Sequence, residues 1–304
     1  MAAPVSQLAA RLAPALFVLL WSTGFIGAKY ALPDAPPFTL LLLRCLLAAL
    51  LLTGVALARR SVWPRGAQGF TRAAVAGLLI HAGYLSGVFL AIHLGLPAGV
   101  TSLVVGLQPP LTALLAAPLL GERLSARQWL GLALGFAGVV LVVGGRAGGG
   151  AFGPPALLAV LFALLCTTLG GLYQRRFGSG VPLITGTAVQ YAASALVLAP
   201  FALGEPGAVH WTPSFVLALS WLVLGLSVGA VLILLWLLRR APASQVSSLM
   251  YLVPPLTALE AYALFGERLG WAGVLGMVLA VVGVSFSAGG LGRVRRAEGA
   301  EAVP

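Results

Sequence analysis

The sequence contains very few charged side chains. Of its 304 residues only 8% are charged and 60% are hydrophobic, and the mean hydropathy is +1.03. A soluble domain carries roughly 25% charged residues. A chain this apolar cannot cover a soluble globule with polar side chains, so we expect lipid to be its main solvent.

Cysteine, lysine and acidic residues are also scarce, and each shortage excludes a class of site. Cys45 and Cys166 lie inside apolar runs, so neither a disulfide framework nor a zinc site is expected. The single lysine, Lys29, stands in GFIGAKYA, which does not match the phosphate-binding loop of an ATP-driven pump. Seven acids are too few for a carboxylate-bound metal, and no HExxH motif is present. We therefore predict no enzymatic activity, no cofactor and no metal ion.

The net charge of +11 raises the question of nucleic-acid binding. Proteins that bind nucleic acid cluster their basic residues on one face, whereas the arginines here punctuate apolar runs. We therefore predict no nucleic-acid partner. The expected partners are a small-molecule substrate and membrane lipid, and the chain is expected to be a monomer or a homodimer.

Long apolar runs dominate the chain. A bilayer-spanning helix needs about 20 apolar residues, and ten such runs are separated by short segments rich in Gly, Pro and charge. We therefore predict an all-α integral membrane protein with ten transmembrane helices. The predicted spans are 12–31, 37–58, 71–94, 97–120, 126–145, 154–176, 181–203, 212–238, 242–265 and 269–290.

Most arginines fall on one side of these predicted spans. With a cytoplasmic N-terminus, fourteen of the seventeen arginines are on the cytoplasmic side, and the outer side carries only Lys29, Arg146 and Arg268. Cytoplasmic loops of membrane proteins carry an excess of Lys and Arg. Both termini are therefore predicted to be cytoplasmic.

One phrase occurs twice, 145 residues apart. It reads LQPPLTALLAAPLLGERL from Leu107 and LVPPLTALEAYALFGERL from Leu252, and about half of positions 107–145 agree with positions 252–290. The chain therefore divides into a first repeat, 1–145, and a second repeat, 146–290, with a cytoplasmic tail, 291–304. Because each repeat has five spans, the second is predicted to enter the membrane upside down. Inverted repeats of this kind are a transporter architecture.

Polar residues lie near the midpoints of several predicted spans. Such residues are costly in lipid unless they face a cavity or a partner, and groups at one depth converge where inverted repeats meet. Packing and hydrogen bonding to the helix backbone remain open as alternatives, and His81 is either a neutral core histidine or a proton-exchanging group. The predicted substrate-binding residues are Trp21, Ser22, His81, Tyr84, Gln108, Thr167, Gln190, Tyr191 and Tyr251.

Paired prolines interrupt the fourth and ninth spans, at Pro109 and Pro110 and at Pro254 and Pro255. A proline leaves the carbonyl four residues earlier without a partner, and such carbonyls are tolerated in lipid only where they face protein or water. We predict that both breaks line a central pathway, with harmless kinks as the alternative.

Small residues form a stripe along the fifth span. Gly131, Gly135 and Gly138 lie on one helix face. Small residues in membrane helices allow close approach of a neighbour, so the stripe predicts helix packing.

Two charged residues lie inside predicted spans at similar depths. Glu260 stands where the first repeat has Leu115, and Arg44 is in the second span. An intramembrane charge is a functional hypothesis by default, and pairing is the usual way of tolerating it. We predict that Arg44 and Glu260 are coupled, as a direct pair or through a shared water-filled vestibule on the outer side. Proton coupling through Glu260, and snorkelling of its side chain outward, remain open.

Several motifs together resemble a known family. They are WSTGFIGAKYA in the first span, the arginine in LLLLRCLLAALLL, and PPLTALLAAPLLGERLS with its second copy PPLTALEAYALFGERLG. The chain resembles the drug/metabolite transporter superfamily, in its EamA-type branch of ten-helix transporters. The resemblance implies secondary transport by alternating access, often export of amino acids or related amphiphilic metabolites, across the bacterial inner membrane. A passive channel and a flippase for a lipid-linked headgroup remain alternatives.

Overall fold

The computed structural model of the chain describes residues 7–120, 125–147, 152–238, 249–268 and 270–288. All regular secondary structure within these ranges is helical, which confirms the predicted all-α class. The helical segments are α1 (Gln7–Ala31), α2 (Pro37–Ala58), α3 (Gly66–His93), α4 (Ala98–Val105 and Gln108–Leu120), α5 (Ala126–Ala147), α6 (Pro154–Phe177), α7 (Leu183–Gly204), α8 (213–238), α9 (Val253–Phe265) and α10 (Trp271–Ala288).

Eight of these segments, α1 to α8, are long and apolar enough to cross a bilayer. The segments Met250–Phe265 and Trp271–Phe286 are apolar but shorter within the described residues. The predicted start of the ninth span at 242, the whole first GERL motif at 121–124, the leucine of the second GERL motif at 269 and the tail 291–304 lie outside the described residues. The chain is a multi-pass membrane protein.

Proline and glycine set several helix boundaries. Pro37, Pro154 and Pro213 each occupy the first helical position, where a missing N–H costs no intrahelical bond. Thr212 caps α8 by accepting a hydrogen bond from the Phe215 N–H. Gly266 ends α9 with φ of +67°, the left-handed conformation that glycine adopts without strain. These local signals are why the predicted boundaries fall close to the observed ones.

Corresponding helices of the two sequence repeats pack against each other: α2 against α7, α4 against α9, and α5 against α10. The α5–α10 contact is made by glycines, as the stripe predicted. A Cβ on Gly138 would lie 2.4 Å from the carbonyl oxygen of Gly276, and a Cβ on Gly283 would lie 2.5 Å from that of Gly131. The residue numbers rise along α5 as they fall along α10, so the two helices run antiparallel.

Two ends of the bundle differ in their side chains. One end, here called the acidic end, carries Asp34, Glu205 and Glu267 in or beside the α1–α2, α7–α8 and α9–α10 connections. The opposite end, here called the arginine end, carries the α2–α3 and α6–α7 connections with Arg65 and Arg176 beside them. The functional residues lie between these two ends.

Candidate functional site

Three of the predicted binding residues meet between α3 and α7. His81 Nε2 is 3.1 Å from Gln190 Oε1, and the His81 ring stacks on the Tyr191 ring with centroids 4.0 Å apart. Tyr191 and Gln190 are buried. Stacked rings with polar atoms at their edges offer an amphiphilic ligand both an apolar face and hydrogen bonds.

Arg44 extends this cluster toward α2 and α8. Its Nε donates to Ser227 Oγ at 3.2 Å, and its side chain is only 5% exposed. The guanidinium lies close enough to His81, Tyr84 and Tyr191 to act electrostatically on each of them. Within the described residues no carboxylate forms an ion pair with Arg44. A buried guanidinium without a carboxylate partner is suited to an incoming anion.

Two of the helices that form this cluster, α3 and α8, each contain a π-helical segment. The segment Leu78–Gly83 of α3 and the segment Trp221–Ala230 of α8 are π-helical. Adding the 145-residue repeat offset to residues of the first segment gives residues within the second segment. The two π-helical segments are therefore at equivalent positions in the two repeats. Single π-turns are frequent at functional sites. Sequence reasoning did not predict these turns, and it missed Ser227.

A cavity leads from the arginine end toward the cluster. It has a volume of about 230 Å³ and lies between α3, α6 and α7, with Arg72 and Tyr173 in its wall and Gln190 also lining it. A second cavity of about 250 Å³ shares Arg72, Val181 and Pro182 with the first, and it reaches the two connections of the arginine end. From Arg72 to His81 is nine residues, or roughly 14 Å along the helix. The cluster is therefore approached from the arginine end.

Ser22 and Glu260 form a second polar site, between α1 and α9. Ser22 Oγ lies 2.7 Å from Glu260 Oε1 and 2.9 Å from the carbonyl oxygen of Leu19. Ser22 is fully buried. Thr257 Oγ1 donates to the Ser22 carbonyl oxygen at 3.5 Å. This site links the two sequence repeats through a carboxyl group within the helical bundle.

Glu260 and Arg44 have different partners in the structure. Glu260 contacts Ser22 on α1, whereas Arg44 contacts Ser227 on α8. The direct-pair form of the predicted coupling is therefore not found. Depth along a helix is readable from sequence, but rotation about the helix axis is not, and the two side chains point to different neighbours. Coupling by another route stays a prediction.

The remaining predicted residues are distributed around these two sites. Gln108 Nε2 donates to the Thr167 carbonyl oxygen at 3.3 Å, which joins α4 to α6. Trp21 packs against Phe17, with centroids 5.4 Å apart. Tyr251 is half-buried in a 3₁₀ turn, Met250–Leu252, that precedes α9. The predicted residues thus form separate groups.

The two proline pairs lie beside interruptions in their helices. A turn at Gly106 and Leu107 divides α4 just before Pro109, and the 3₁₀ turn lies just before Pro254. A Cβ on Gly106 would be 3.0 Å from Pro254 Cγ. The two breaks therefore face each other across the repeat boundary. Whether they line a substrate pathway stays a prediction.

The acidic end is closed by contacts that sequence reasoning missed. Glu267 forms an ion pair with Lys29, and its carboxylate accepts hydrogen bonds from the backbone N–H groups of Ala98 and Gly99 at the start of α4. The Lys29 ammonium also lies 4.5 Å from the centroid of the Phe265 ring. One carboxylate therefore holds α1, α4 and the end of α9 together.

Two further acids close the same end. Glu205 accepts hydrogen bonds from the backbone N–H groups of Phe38 at 3.0 Å and Thr39 at 2.9 Å. Asp34 Oδ2 accepts one from Thr212 Oγ1 at 2.8 Å. All four acids that the structure describes thus bind a residue of the other sequence repeat. Within the same residues, no group of three His, Cys, Asp or Glu side chains is arranged to hold a metal ion.

Comparison with known proteins identifies the family. The model of the EamA-like transporter family matches residues 10–144 and again residues 154–289. The aromatic amino acid exporter YddG of Ancylobacter novellus is 31% identical over 80% of this chain and 84% of its own. A probable amino-acid metabolite efflux pump of Salmonella typhimurium is 29% identical over 92% of this chain and 95% of its own.

Two further comparisons cover nearly the whole chain. The uncharacterized inner membrane transporter YedA of Escherichia coli K12 is 28% identical over 90% of both chains. A crystal structure at 27% identity superimposes with a TM-score of 0.65 and covers 95% of this chain and 99% of its own. The predicted resemblance and the predicted inner-membrane location are therefore confirmed. The chain belongs to the EamA-like transporter family, within the drug/metabolite transporter superfamily.

Proposed function

We propose that this protein is a secondary transporter that exports amino acids, aromatic ones among them, by alternating access. In this proposal ten spans form two inverted repeats, 1–145 and 146–290, and both termini are cytoplasmic. The acidic end faces outward and the arginine end faces the cytoplasm, in keeping with the excess of arginine in cytoplasmic loops.

The glycine contacts support the inverted arrangement. Adding 145 to Gly138 gives Gly283, and subtracting 145 from Gly276 gives Gly131. The Gly138–Gly276 contact and the Gly283–Gly131 contact are therefore the same contact seen from each repeat. A two-fold axis generates such reciprocal pairs. Because α5 and α10 run antiparallel, such an axis is perpendicular to both helices, and this supports the inverted repeats of the proposal.

The observation that carries the proposal is the difference between the two ends of the bundle. Carboxylates join the two repeats at the acidic end, while a cavity of about 230 Å³ opens from the arginine end to Gln190. An arrangement open on one side and closed on the other is one state of an alternating-access cycle. The opposite state would require the carboxylate contacts to break and the cavity to close.

The chemistry of the cluster supports the substrate class. The stacked His81 and Tyr191 rings offer an apolar face, Gln190 offers an amide, and Arg44 offers a buried positive charge without a carboxylate partner among the described residues. An amino acid with an aromatic side chain presents the matching groups. The names of the YddG exporter and of the Salmonella efflux pump favour the same class.

Counterflow in proteoliposomes tests this proposal. Vesicles loaded with a high concentration of one L-amino acid are diluted into a trace of the same labelled amino acid, across a panel of aromatic, aliphatic and charged members. We expect transient, saturable accumulation of label for aromatic amino acids. His81→Ala should raise the half-saturation concentration about fivefold, because one hydrogen bond contributes about 1 kcal/mol.

His93→Ala is the matched control, since His93 is exposed at the other end of α3. It should leave the half-saturation concentration unchanged. Equilibration of label without accumulation would instead indicate a passive channel. Movement of a fluorescent lipid analogue with no exchange of any amino acid would indicate a flippase.

A further inference from the structure

In the Ser22–Glu260 contact, one serine hydroxyl lies close to two hydrogen-bond acceptors. Ser22 Oγ lies within hydrogen-bonding distance of both Glu260 Oε1 and the Leu19 carbonyl oxygen. A serine hydroxyl has only one hydrogen to donate. The Leu19 carbonyl oxygen lies within α1, where the backbone N–H of Thr23 is its helical donor, so it takes the Ser22 hydrogen only as a second bond. If Glu260 is ionised, the Ser22 hydrogen lies in one of the two contacts, and the other contact brings two oxygen atoms together with no hydrogen between them.

A proton on the Glu260 carboxyl removes the problem. The carboxyl O–H at Oε1 then donates to Ser22 Oγ, and the Ser22 O–H donates to the Leu19 carbonyl oxygen. Both observed distances, 2.7 and 2.9 Å, become hydrogen bonds at the same time. The observed geometry therefore fits the neutral acid better than the carboxylate.

The second oxygen of Glu260 gives an independent indication. Among the residues that the structure describes, Glu260 Oε2 is the one buried side-chain nitrogen or oxygen without a hydrogen-bond partner. A buried acceptor without a donor costs more when it carries charge than when it is neutral. In the neutral acid Oε2 is an uncharged carbonyl oxygen, so a proton at Oε1 also reduces this cost.

Other charged groups nearby are already paired and do not compensate an ionised Glu260. Helix α9 packs against α1 and against Ala98–Val105 of α4. On α1 the titratable groups toward this end are Lys29, paired with Glu267, and Tyr30, whose ring packs on Phe265. The segment Ala98–Val105 has no titratable side chain. The titratable groups of α9 and its flanks, Glu260 aside, are Tyr251, Tyr262, Glu267 and Arg268.

We propose that Glu260 is a proton-binding site that couples a proton to the transport cycle. Where α1 and α9 separate at the acidic end, water reaches the carboxyl and supplies a proton to Oε1. Contact between the two helices then encloses this proton, with the Oε1–H group donating to Ser22 Oγ. Substrate binding from the cytoplasmic side returns the proton to water on that side, and the Ser22 hydroxyl turns from the Leu19 carbonyl oxygen to donate to Oε1.

The sequence repeat indicates how many protons this site carries. The equivalent position in the first repeat is Leu115, so the second half of the chain alone provides this acid. We therefore expect one proton per cycle from this position. The link to substrate movement rests on the proposed function, but the proton site itself does not.

Infrared spectroscopy of the purified full chain tests the proton site without any substrate. At neutral pH the wild-type protein should show the carbonyl stretching band of a buried carboxylic acid. Glu260→Gln should lose this band, because the amide keeps hydrogen-bond donors and an acceptor at this position but has no carboxylic C=O group. Glu205→Gln is the matched control and should keep the band, since both Glu205 oxygens accept hydrogen bonds from backbone N–H groups at the start of α2, away from Ser22 and Glu260.

A second variant keeps the test decisive if Glu260→Gln fails to fold. Ser22→Ala retains the acid but removes the acceptor of its hydrogen bond, so the band should move to higher frequency. A wild-type spectrum without the band, an unchanged band in Glu260→Gln, or an unmoved band in Ser22→Ala would overturn the proposal.

Transport of labelled L-phenylalanine into proteoliposomes tests the coupling. An acidic vesicle interior should accelerate wild-type uptake several-fold, because protons leave as substrate enters. Glu260→Gln should show the same rate with and without the gradient, while exchange at equal pH continues. The same gradient response in Glu260→Gln would overturn the coupling. An infrared band without any amino-acid transport would leave the proton site standing and refute the proposed substrate.

Discussion

Gly138 and Gly276 touch through their backbones. A Cβ on Gly138 would lie 2.4 Å from the carbonyl oxygen of Gly276, and one on Gly276 would lie 2.5 Å from that of Gly138. Distances below 3.0 Å leave no room for a methyl group unless the helices move apart. The α5–α10 contact therefore requires glycine at both positions, and it joins the two sequence repeats.

Gly138→Ala should destabilise the protein by about 1–3 kcal/mol, the usual cost of overpacking. Gly144→Ala is the matched control in the same helix, because no atom lies within 4 Å of a Cβ built at Gly144. Alanine there should be neutral or stabilising by up to about 1 kcal/mol, since alanine favours helix more than glycine does. Reversible unfolding in mixed detergent measures both. Equal effects of the two substitutions would contradict the close contact.

The Lys29–Glu267 ion pair should act as a latch on the acidic end. Lys29 is 31% exposed and Glu267 11%, so the pair is shielded more than a surface ion pair and contributes more than one. Glu267→Gln should weaken closure more than Lys29→Met, because Glu267 also accepts hydrogen bonds from the Ala98 and Gly99 N–H groups. Hydrogen bonds to a charged group contribute about 1.5–3 kcal/mol.

Cysteine labelling measures this closure. In a variant without Cys45 and Cys166, a cysteine at Ala258 would report on the α4–α9 contact, because Ala258 packs against Gly99. An impermeant maleimide added from outside should label it several-fold faster in Glu267→Gln than in Lys29→Met, and slowest with both native residues. Equal rates in all three proteins would mean that the ion pair does not hold the acidic end closed.

The helix boundaries were predictable because they are encoded locally. Pro37, Pro154 and Pro213 begin helices, and Gly266 ends one. The arrangement of side chains around each helix was not predictable. An amphipathic helix reveals its buried face by its polar stripe, whereas these helices are apolar on all sides.

The partners of the buried polar groups illustrate this limit. His81 and Gln190 were predicted to lie at a common depth, but nothing in either helix indicates that the two side chains touch. Glu260 and Arg44 were also placed at a common depth, and they contact different helices. The role of Glu267 was not predicted, because this residue lies in the connection after α9. Acidic residues are common in such connections and do not by themselves indicate a contact. The 145-residue offset between the repeats does provide one usable signal. Once the π-helical segment of α3 is known, the offset predicts the π-helical segment of α8.

Arg44 should discriminate substrates by their carboxylate. If the guanidinium binds that group, L-phenylalanine should compete in the counterflow assay far better than L-phenylalaninamide, which lacks the negative charge. Arg44→Gln should reduce competition by the acid at least tenfold and leave the amide unaffected, because a charge-assisted hydrogen bond contributes more than about 1.4 kcal/mol. Arg44→Lys, which keeps the charge, should retain part of the preference. Equal loss for acid and amide would indicate a structural role for Arg44.

Arg44 and Glu260 should contribute independently to stability, but their effects on transport should depend on each other. No contact and no shared partner links Arg44 to Glu260 within the described residues, since one binds Ser227 and the other Ser22. The effects of Arg44→Leu and Glu260→Leu on the free energy of unfolding should therefore add to within about 0.5 kcal/mol. In transport, each substitution blocks a different step of one cycle, so the double variant should be no slower than the slower single variant. Recovery of unfolding free energy in the double variant would instead reveal the direct pair that their similar depth suggested.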